Sequence, residues 1–96
     1  MPLNAIAAIQ GNADYTTVHV ARSEARLVQR TMKEWRDILP PAFLTLSRSL
    51  IVNRASLCGM KVKNRDTTEL ALKDCPNKIV VGRVALLALR RHLNSG

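Results

Sequence analysis

The feature that most constrains this chain is an apolar run from Phe43 to Asn53, which a short polar segment, Ser47-Arg48-Ser49, divides in two. The two apolar pieces have the length and composition of buried strands. Their packed side chains would hold the polar segment between two anchored elements. Arg48 therefore has a fixed backbone and a side chain that reaches solvent, which makes it the first candidate for a binding contact.

Strand patterns also dominate the rest of the chain. Tyr15 to Val20 alternates between two faces and is rich in β-branched residues, which is typical of a half-buried strand. The turn signal Gly11-Asn12-Ala13-Asp14 precedes it. Further strands are predicted over these segments: Leu3 to Ile9 (which also fits a helical turn), Ala25 to Gln29, Ala55 to Lys63, Thr68 to Lys73, and Ile79 to Val81.

Two short helices interrupt the strands. Thr31 and Glu34 have the spacing of a capping box, and Pro40-Pro41 would end the helix that begins there. The apolar residues on one face of this helix are Met32, Trp35, Ile38 and Leu39. Val84 to Leu93 predicts the second helix, with Leu86, Leu89 and Leu93 on one stripe. The expected fold is mostly β, with small antiparallel sheets and two short helices, and residues 1–96 form a single domain.

The charge of the chain favours a polyanionic partner. Fifteen Lys and Arg residues stand against seven Asp and Glu, which gives a formal net charge of +8. Each phosphate that a basic side chain neutralises releases counterions and adds salt-dependent affinity. No apolar run reaches the roughly 18 residues of a membrane span, and the first residues lack the features of a secretory signal. Two cysteines suit a reducing compartment, so a cytoplasmic location is expected.

Catalytic and metal chemistry have little support in the sequence. There is no glycine-rich phosphate loop and no nucleophile with a base at a suggestive spacing, so we expect neither an enzyme nor a cofactor. His19 and His92 are far apart and lack a ligand cluster, so no metal site is expected. In the predicted hairpin register Lys73 opposes Cys58 and leaves Cys75 on a diagonal, a poor geometry for a disulfide.

Two arginines are the main candidates for contacts with nucleic acid. Arg48 can form a bidentate pair with guanine or bind a phosphate. The alternatives are a solvated surface side chain or an ion pair with Asp14 or Glu34. Arg83 lies at the start of the second helix, whose backbone N–H groups also attract anions. Its alternative is a solubilising charge.

Several polar residues near these arginines are weaker candidates. Asn12, Asp14 and Tyr15 lie on a turn that can follow a groove, although Tyr15 also fits a half-buried strand position. Ser47 and Ser49 can donate to phosphates or satisfy local backbone groups, and Asn53 is interpreted as structural. Six further basic side chains form a diffuse positive field: Arg22, Arg26, Lys61, Lys63, Arg65 and Lys78.

The order and spacing of these segments resemble the LytTR DNA-binding domains. Members of that family carry an F-x-x-h-H-R-S-x-h-V-N segment (h, hydrophobic), and this chain reads Phe43 to Asn53 there. The family's I-P-V-S-R-R segment corresponds to Ile79-Val80-Val81-Gly82-Arg83-Val84. Its I-E-A-x-x-N-Y-x-x-I pattern corresponds to Ile9 to Val18. Ser47 replaces the usual His, Gly82 the usual Ser, Val84 a common Arg, and Gln10 the Glu.

The resemblance implies an elongated β fold that binds duplex DNA through loops. It makes the loop before Tyr15, the Ser47-Arg48-Ser49 segment and the Gly82-Arg83 junction the three contact regions. It also implies the output domain of a bacterial response regulator, usually controlled by a receiver or sensor domain, with a second copy as a candidate partner on the DNA. The family's first strand, upstream of Leu3, is expected to be absent or short.

The sequence therefore predicts a sequence-specific, double-stranded-DNA-binding domain of a transcriptional regulator. The alternative is a protein-interaction module in which the stripe Leu86, Leu89 and Leu93 binds a partner helix. A single-strand or RNA binder is disfavoured, because only Tyr15, Trp35 and Phe43 are aromatic and stacking surfaces need more.

Overall fold

The computed structural model describes residues 2–12 and 14–94 of the chain. In this part strands predominate and two α-helices are present. Two single 3-10 turns cover Leu3–Ala5 and Arg54–Ser56. The strands are β1 (Ile6–Asn12), β2 (Tyr15–Val20), β3 (Arg26–Val28), β4 (Phe43–Ser47), β5 (Leu50–Asn53), β6 (Leu57–Asn64), β7 (Thr67–Leu72) and β8 (Ile79–Val81); the helices are α1 (Met32–Ile38) and α2 (Arg83–Asn94).

The strands form two antiparallel sheets. The larger sheet has five strands in the order β3-β2-β1-β5-β4, and the smaller has three in the order β6-β7-β8. The prediction of small antiparallel sheets with two helices is therefore confirmed. The molecule is mildly elongated, with principal extents of 33, 27 and 25 Å.

The five-stranded sheet is the middle layer and is covered on both faces. On one face Ile9, Val18 and Ile51 pack against Trp35 of α1. On the other face Leu46 and Leu50 belong to a second core that includes the three-stranded sheet and α2; its other members are Ala7, Ala8, Leu44, Val52, Leu70, Leu72, Ile79, Val81, Ala85 and Leu89. Because β5 is buried on both faces, it reads as a continuous apolar run rather than an alternating one.

Helix α1 begins at the predicted capping box. The Thr31 side chain accepts a hydrogen bond from the Glu34 backbone, and the Glu34 side chain accepts from the Thr31 backbone N–H. Trp35 is buried, and its indole N–H donates to Thr16 Oγ1 over 2.7 Å. Of the apolar residues predicted on one face of this helix, Met32 and Leu39 pack against the same core as Trp35, whereas Ile38, the last residue of α1, is 48% exposed.

Helix α2 buries the stripe that was considered a docking surface. Leu89 is fully buried, and Leu86 and Leu93 pack against the core between the two sheets. The prediction that this stripe is available to a partner helix is therefore wrong. The three-stranded sheet needs an apolar cover, and the stripe supplies it from within the chain.

The connections between strands fall at two ends of the molecule. What we call the loop end contains the β1–β2, β4–β5 and β6–β7 turns and the start of α2. What we call the tethered end contains residues 21–22, 53–56 and 73–74, where backbone hydrogen bonds join the two sheets. Arg22 N–H donates to Asp74 O over 2.9 Å, and Lys73 N–H donates to Ser56 O over 2.7 Å.

Two details of the strands differ from the sequence prediction. Gly11 and Asn12 belong to β1 rather than to the turn, because Gly11 pairs with Thr16 and Asn12 with Tyr15; Ala13 lies outside the described residues. The register shifts between Leu57 and Gly59, so Cys58 lies in a bulge and does not oppose Lys73. No helix in the described ranges is long and apolar enough to cross a membrane.

Candidate nucleic-acid interface

The β4–β5 turn holds Arg48 on a fixed backbone. Leu46 and Leu50 on either side are buried, which anchors both strand ends. Within the turn the Ser49 N–H donates to Ser47 Oγ over 3.2 Å, so Ser47 satisfies a local backbone group. Arg48 is exposed, and neither of the ion pairs considered from the sequence is formed among the described residues. Its guanidinium is thus available to a ligand.

The neighbouring strand stabilises this turn from the side. Gly11 N–H donates to Ser49 O over 2.8 Å. A Cβ at position 11 would lie 2.6 Å from Met32 Cγ, well inside van der Waals contact. Glycine is therefore needed for β1 to approach both α1 and the turn. The close contact between β1 and the β4–β5 turn fixes the position of Ser49.

The second arginine lies where α2 begins. The Gly82 carbonyl accepts the Leu86 N–H over 3.1 Å, so Gly82 caps the helix and Arg83 is its first residue. A Cβ at Gly82 would meet only Asp66 O at 3.9 Å, so the backbone here is open to solvent. Arg83 Nη1 lies 3.9 Å from Asp66 Oδ1, and both side chains are about 70% exposed. The pair is weak at that exposure.

One groove at the loop end joins two of the three predicted contact regions. Ser47 and Ser49 line one side, and Gly82 and Arg83 line the other. Its remaining lining residues are Gln10, Gly11, Leu50, Val80, Val81, Val84 and Ala85. Arg48 lies between the two lining serines. Arg83 therefore lines the groove and Arg48 lies beside it, although the two arginines are 35 positions apart in the sequence (83 minus 48).

The third predicted region lies at the same end but does not line the groove. Asn12 and Tyr15 pair at the last position of the β1–β2 ladder, and Asp14 is in the turn. All three are exposed. Tyr15 is the first residue of β2 and has 43% of its surface exposed, so its ring can reach a ligand at this end.

Two residues of this end were not among the predicted contacts. Gln10 lines the groove, and its Oε1 accepts a 2.7 Å hydrogen bond from His19 Nε2. Burial lowers the pKa of His19 below its ordinary value, which keeps the ring neutral. Asp66 is the second, and it puts a carboxylate beside Arg83. Neither pairing was visible in the sequence, although the Asn64-Arg65-Asp66-Thr67 turn was.

Part of the predicted positive field is neutralised by carboxylates. Glu69 lies 3.6 Å from Lys63 Nζ and 3.9 Å from Lys78 Nζ. At the tethered end Arg22 Nε lies 3.3 Å from Asp74 Oδ2. The field is therefore uneven, and the loop end carries arginines whose charges remain accessible.

Asn53 and the cysteines have structural surroundings. The Asn53 side chain donates to Ile6 O over 2.9 Å and accepts from Ala55 N–H over 3.0 Å, as its structural interpretation requires. Cys58 and Cys75 are free thiols, and burial raises the pKa of Cys75. Among residues 2–12 and 14–94 no group of three His, Cys, Asp or Glu side chains could hold a metal ion.

Comparison with solved structures identifies the fold first. The LytTr DNA-binding domain of a protein described as a methyl-accepting/DNA response regulator from Bacillus cereus superposes with a TM-score of 0.78. The match covers 97% of this chain and 84% of that one, at 18% sequence identity. No curated protein matches the chain.

The family follows from the sequence match. The LytTr DNA-binding domain family matches residues 1–94, and the chain belongs to that family. Its members are DNA-binding domains. The resemblance drawn from the Phe43 to Asn53 and Ile79 to Val84 segments is thereby confirmed.

Proposed function

We propose that this chain is a single domain that binds specific sequences of duplex DNA and regulates transcription in bacteria. The observation that carries the proposal is the groove bordered by Arg48 and Arg83 at the loop end. Membership of the LytTr family supports it independently. The proposed contact residues are Asn12, Asp14, Tyr15, Ser47, Arg48, Ser49, Gly82 and Arg83.

Arg48 is the residue that reads sequence in this proposal. A guanidinium on a fixed turn loses little backbone freedom when it binds, and its two N–H edges match the O6 and N7 acceptors of guanine. A good bidentate pair discriminates against a wrong base by about 1–3 kcal/mol. Ser47 stands beside it, where a hydroxyl can donate to a phosphate oxygen.

Arg83 and the first turn of α2 bind the phosphate backbone. Helix N-termini carry unsatisfied N–H groups and a partial positive charge, and both favour an anion. The exposed Gly82 backbone lets a phosphate approach these groups without a side chain in the way. This contact positions the domain and carries no sequence information by itself.

Duplex DNA fits the described surface better than a single strand does. Trp35 is buried and hydrogen-bonded, and Phe43 is half-buried against the same core. Tyr15 is the one exposed aromatic side chain of the described residues. Single-strand binders stack successive bases on several aromatic rings, and one ring does not provide that surface.

The partners follow from the same proposal. The structural relative is a domain of a response regulator. We expect a receiver or sensor domain to control this domain in the cytoplasm. We also expect a second copy to bind an adjacent DNA site. It requires no cofactor or metal for DNA binding.

The test is selection from a pool of random duplex DNA over several rounds. The wild type, Arg48→Ala and Arg83→Ala are compared with Arg54→Ala, an exposed arginine of the tethered end. We expect one enriched motif for the wild type and for Arg54→Ala. Arg48→Ala should lose the motif, and Arg83→Ala should keep it at lower affinity.

Salt dependence separates this function from apolar docking. Binding through several phosphates should weaken steeply between about 50 and 200 mM salt. Enrichment of no motif, together with weak binding that every arginine variant shares, would refute sequence-specific recognition. Affinity that is insensitive to salt would refute the phosphate contacts.

A further inference from the structure

The outward face of α2 carries apolar side chains that the fold does not use. Ala85 and Leu89 are buried against the sheets. Val84 and Leu87 lie on the opposite side and are 78% and 52% exposed. Large apolar side chains grouped at one surface are characteristic of interaction sites.

The edge strand of the three-stranded sheet carries two further exposed apolar side chains. Met60 pairs with Leu70, and Val62 pairs with Thr68. Antiparallel partners project from the same face of a sheet, and Leu70 and Thr68 are buried on the face that α2 covers. Met60 and Val62 therefore project on the same side as α2, but they are 46% and 62% exposed because β6 is the edge strand.

Arginines surround this apolar surface. A groove between α2 and the β6–β7 turn is lined by Arg65, Arg83, Val84, Leu86, Leu87 and Arg90. Asp66 is the one carboxylate paired to any of these arginines among the described residues, at 3.9 Å from Arg83. The groove, which we call the α2 outer groove, thus combines an apolar floor with a cationic rim.

The apolar and cationic side chains of the groove favour one kind of ligand over others. A second copy of the chain would bring the same arginines and a net charge of +8 against this surface, so self-association is opposed. A DNA phosphate gains nothing from Val84 and Leu87, since DNA interfaces are polar. Protein interfaces have an apolar centre, a polar rim and an excess of arginine. A protein segment with apolar side chains flanked by carboxylates complements both parts.

We propose that the α2 outer groove binds an acidic, apolar segment of a partner protein. Because Arg83 belongs both to this groove and to the proposed DNA-binding groove, occupancy by the segment also displaces DNA. This second clause rests on the proposed DNA-binding function. The groove is then a site at which a protein regulates DNA binding.

The test uses a synthetic helical peptide as the probe, with leucine at positions i, i+3, i+4 and i+7 and glutamate at the remaining positions. A peptide of equal length and charge without leucine is the control for charge alone. Binding to the ¹⁵N-labelled domain is followed by amide chemical shifts and by fluorescence anisotropy. We expect shifts confined to the first two turns of α2, the β6–β7 turn and the edge of β6.

Matched variants assign the interaction to this surface. Leu87→Gln keeps helix propensity and removes the apolar contact, so it should weaken peptide binding at least about fivefold. Arg90→Gln should weaken it and reduce its salt dependence. Ile38→Gln, at a residue of α1 that is 48% exposed, should leave it within about twofold because scattered surface residues contribute little.

The outcomes separate the two parts of the proposal. Equal binding of the leucine-free peptide, shifts elsewhere on the domain, or unchanged binding by Leu87→Gln would overturn the groove assignment. So would self-association in sedimentation that Leu87→Gln abolishes, because a second copy would then be the occupant. Displacement of a labelled duplex by the leucine peptide supports the regulatory clause, and simultaneous binding of both overturns it. The peptide shifts are read without DNA, so a failure of DNA binding would not affect them.

Discussion

The two ends of this domain use the same residue types in different ways. At the tethered end Arg22 is paired with Asp74, and backbone hydrogen bonds join the two sheets. Arg22 and Asp74 also have positive φ angles of 61° and 60°, an unusual conformation for residues other than glycine. At the loop end Arg48 is exposed, and its neighbours fix its backbone only.

This difference shows that polar contacts stabilise the fold at one end of the molecule and leave side chains accessible at the other. The tethered end closes the molecule, so its polar groups are satisfied within the chain. The loop end holds turns in position while their cationic side chains remain accessible, which is how a rigid scaffold presents binding residues. DNA affinity should therefore respond to changes at the loop end and not to changes at the tethered end.

The largest effect on stability is expected from Asn53→Ala at the tethered end. The change removes two hydrogen bonds and leaves the buried Ile6 carbonyl without its partner. We expect a loss of about 2–3 kcal/mol in the free energy of unfolding. Thermal and urea denaturation measure it. DNA affinity at temperatures where the variant remains folded should be unchanged, and a selective loss of affinity would contradict the division between the ends.

Gly11→Ala is the corresponding change at the loop end. The new methyl group would meet Met32 Cγ at 2.6 Å, so the Met32 side chain must move or β1 must shift away from α1 and the β4–β5 turn. We expect a destabilisation of about 1–3 kcal/mol together with weaker DNA binding. Gly59→Ala is the control, because its Cβ meets only Ala71 at 3.6 Å. Equal effects of the two substitutions would show that Gly11 has no special packing role.

The local structure of this end was predictable from the sequence, but its assembly was not. The capping box of Thr31 and Glu34, the alternation of Tyr15 to Val20 and the polar segment around Arg48 are patterns of neighbouring residues. The Gly11–Ser49 hydrogen bond and the Arg83–Asp66 pair join residues that are distant in sequence. Such contacts depend on register and on how the sheets pack, and periodicity does not report either.

The helical stripe illustrates the same limit. Leu86, Leu89 and Leu93 were correctly predicted to share a face, but an apolar face can cover the chain's own core or a partner's. Only the packing of α2 into the core between the two sheets, chiefly against β4, decides between them. Similarly, the bulge at Cys58 shifts the hairpin register in a way that residue types alone do not indicate.

Asp66→Asn should increase DNA affinity, because it removes a negative charge beside Arg83 while keeping the shape of the side chain. The turn should persist, since its hydrogen bond runs from the Asp66 backbone N–H to Asn64 Oδ1 over 2.8 Å. An exposed ion pair contributes about 0.2–1 kcal/mol, so the gain should not exceed about fivefold. Fluorescence anisotropy measures it, and Asp37→Asn on α1 is the matched control. A loss of affinity would show that Asp66 positions Arg83 for binding.

The smallest effect is the dependence of stability on pH, which involves the hydrogen bond between Gln10 and His19. Burial lowers the pKa of His19 in the folded chain, whereas the unfolded chain protonates near the ordinary value of 6.5. Below that pH the unfolded state binds more protons, so the free energy of unfolding should fall until the folded imidazole is protonated too. Denaturation midpoints between pH 7.5 and 5 (roughly the window of histidine titration) measure the slope.

Two variants sharpen this expectation. His19→Gln should remove the histidine's contribution to the pH dependence of the free energy of unfolding. Gln10→Glu puts a carboxylate where the amide oxygen accepts from His19 Nε2 over 2.7 Å. A carboxylate there favours the charged ring, so the free energy of unfolding should depend less steeply on pH. If the free energy of unfolding depends on pH equally in both variants and in the wild type, then His19 does not control that dependence.

The most direct test of the central claim compares one arginine from each end against the selected duplex and a scrambled duplex. Arg48→Ala should weaken binding to the selected duplex by about 5- to 150-fold, which is the equivalent of 1–3 kcal/mol, and bring it towards the scrambled value. Arg54→Ala should retain the wild-type preference between the two duplexes. Equal losses in the two variants, or a preference that survives in Arg48→Ala, would contradict recognition of DNA by the loop end.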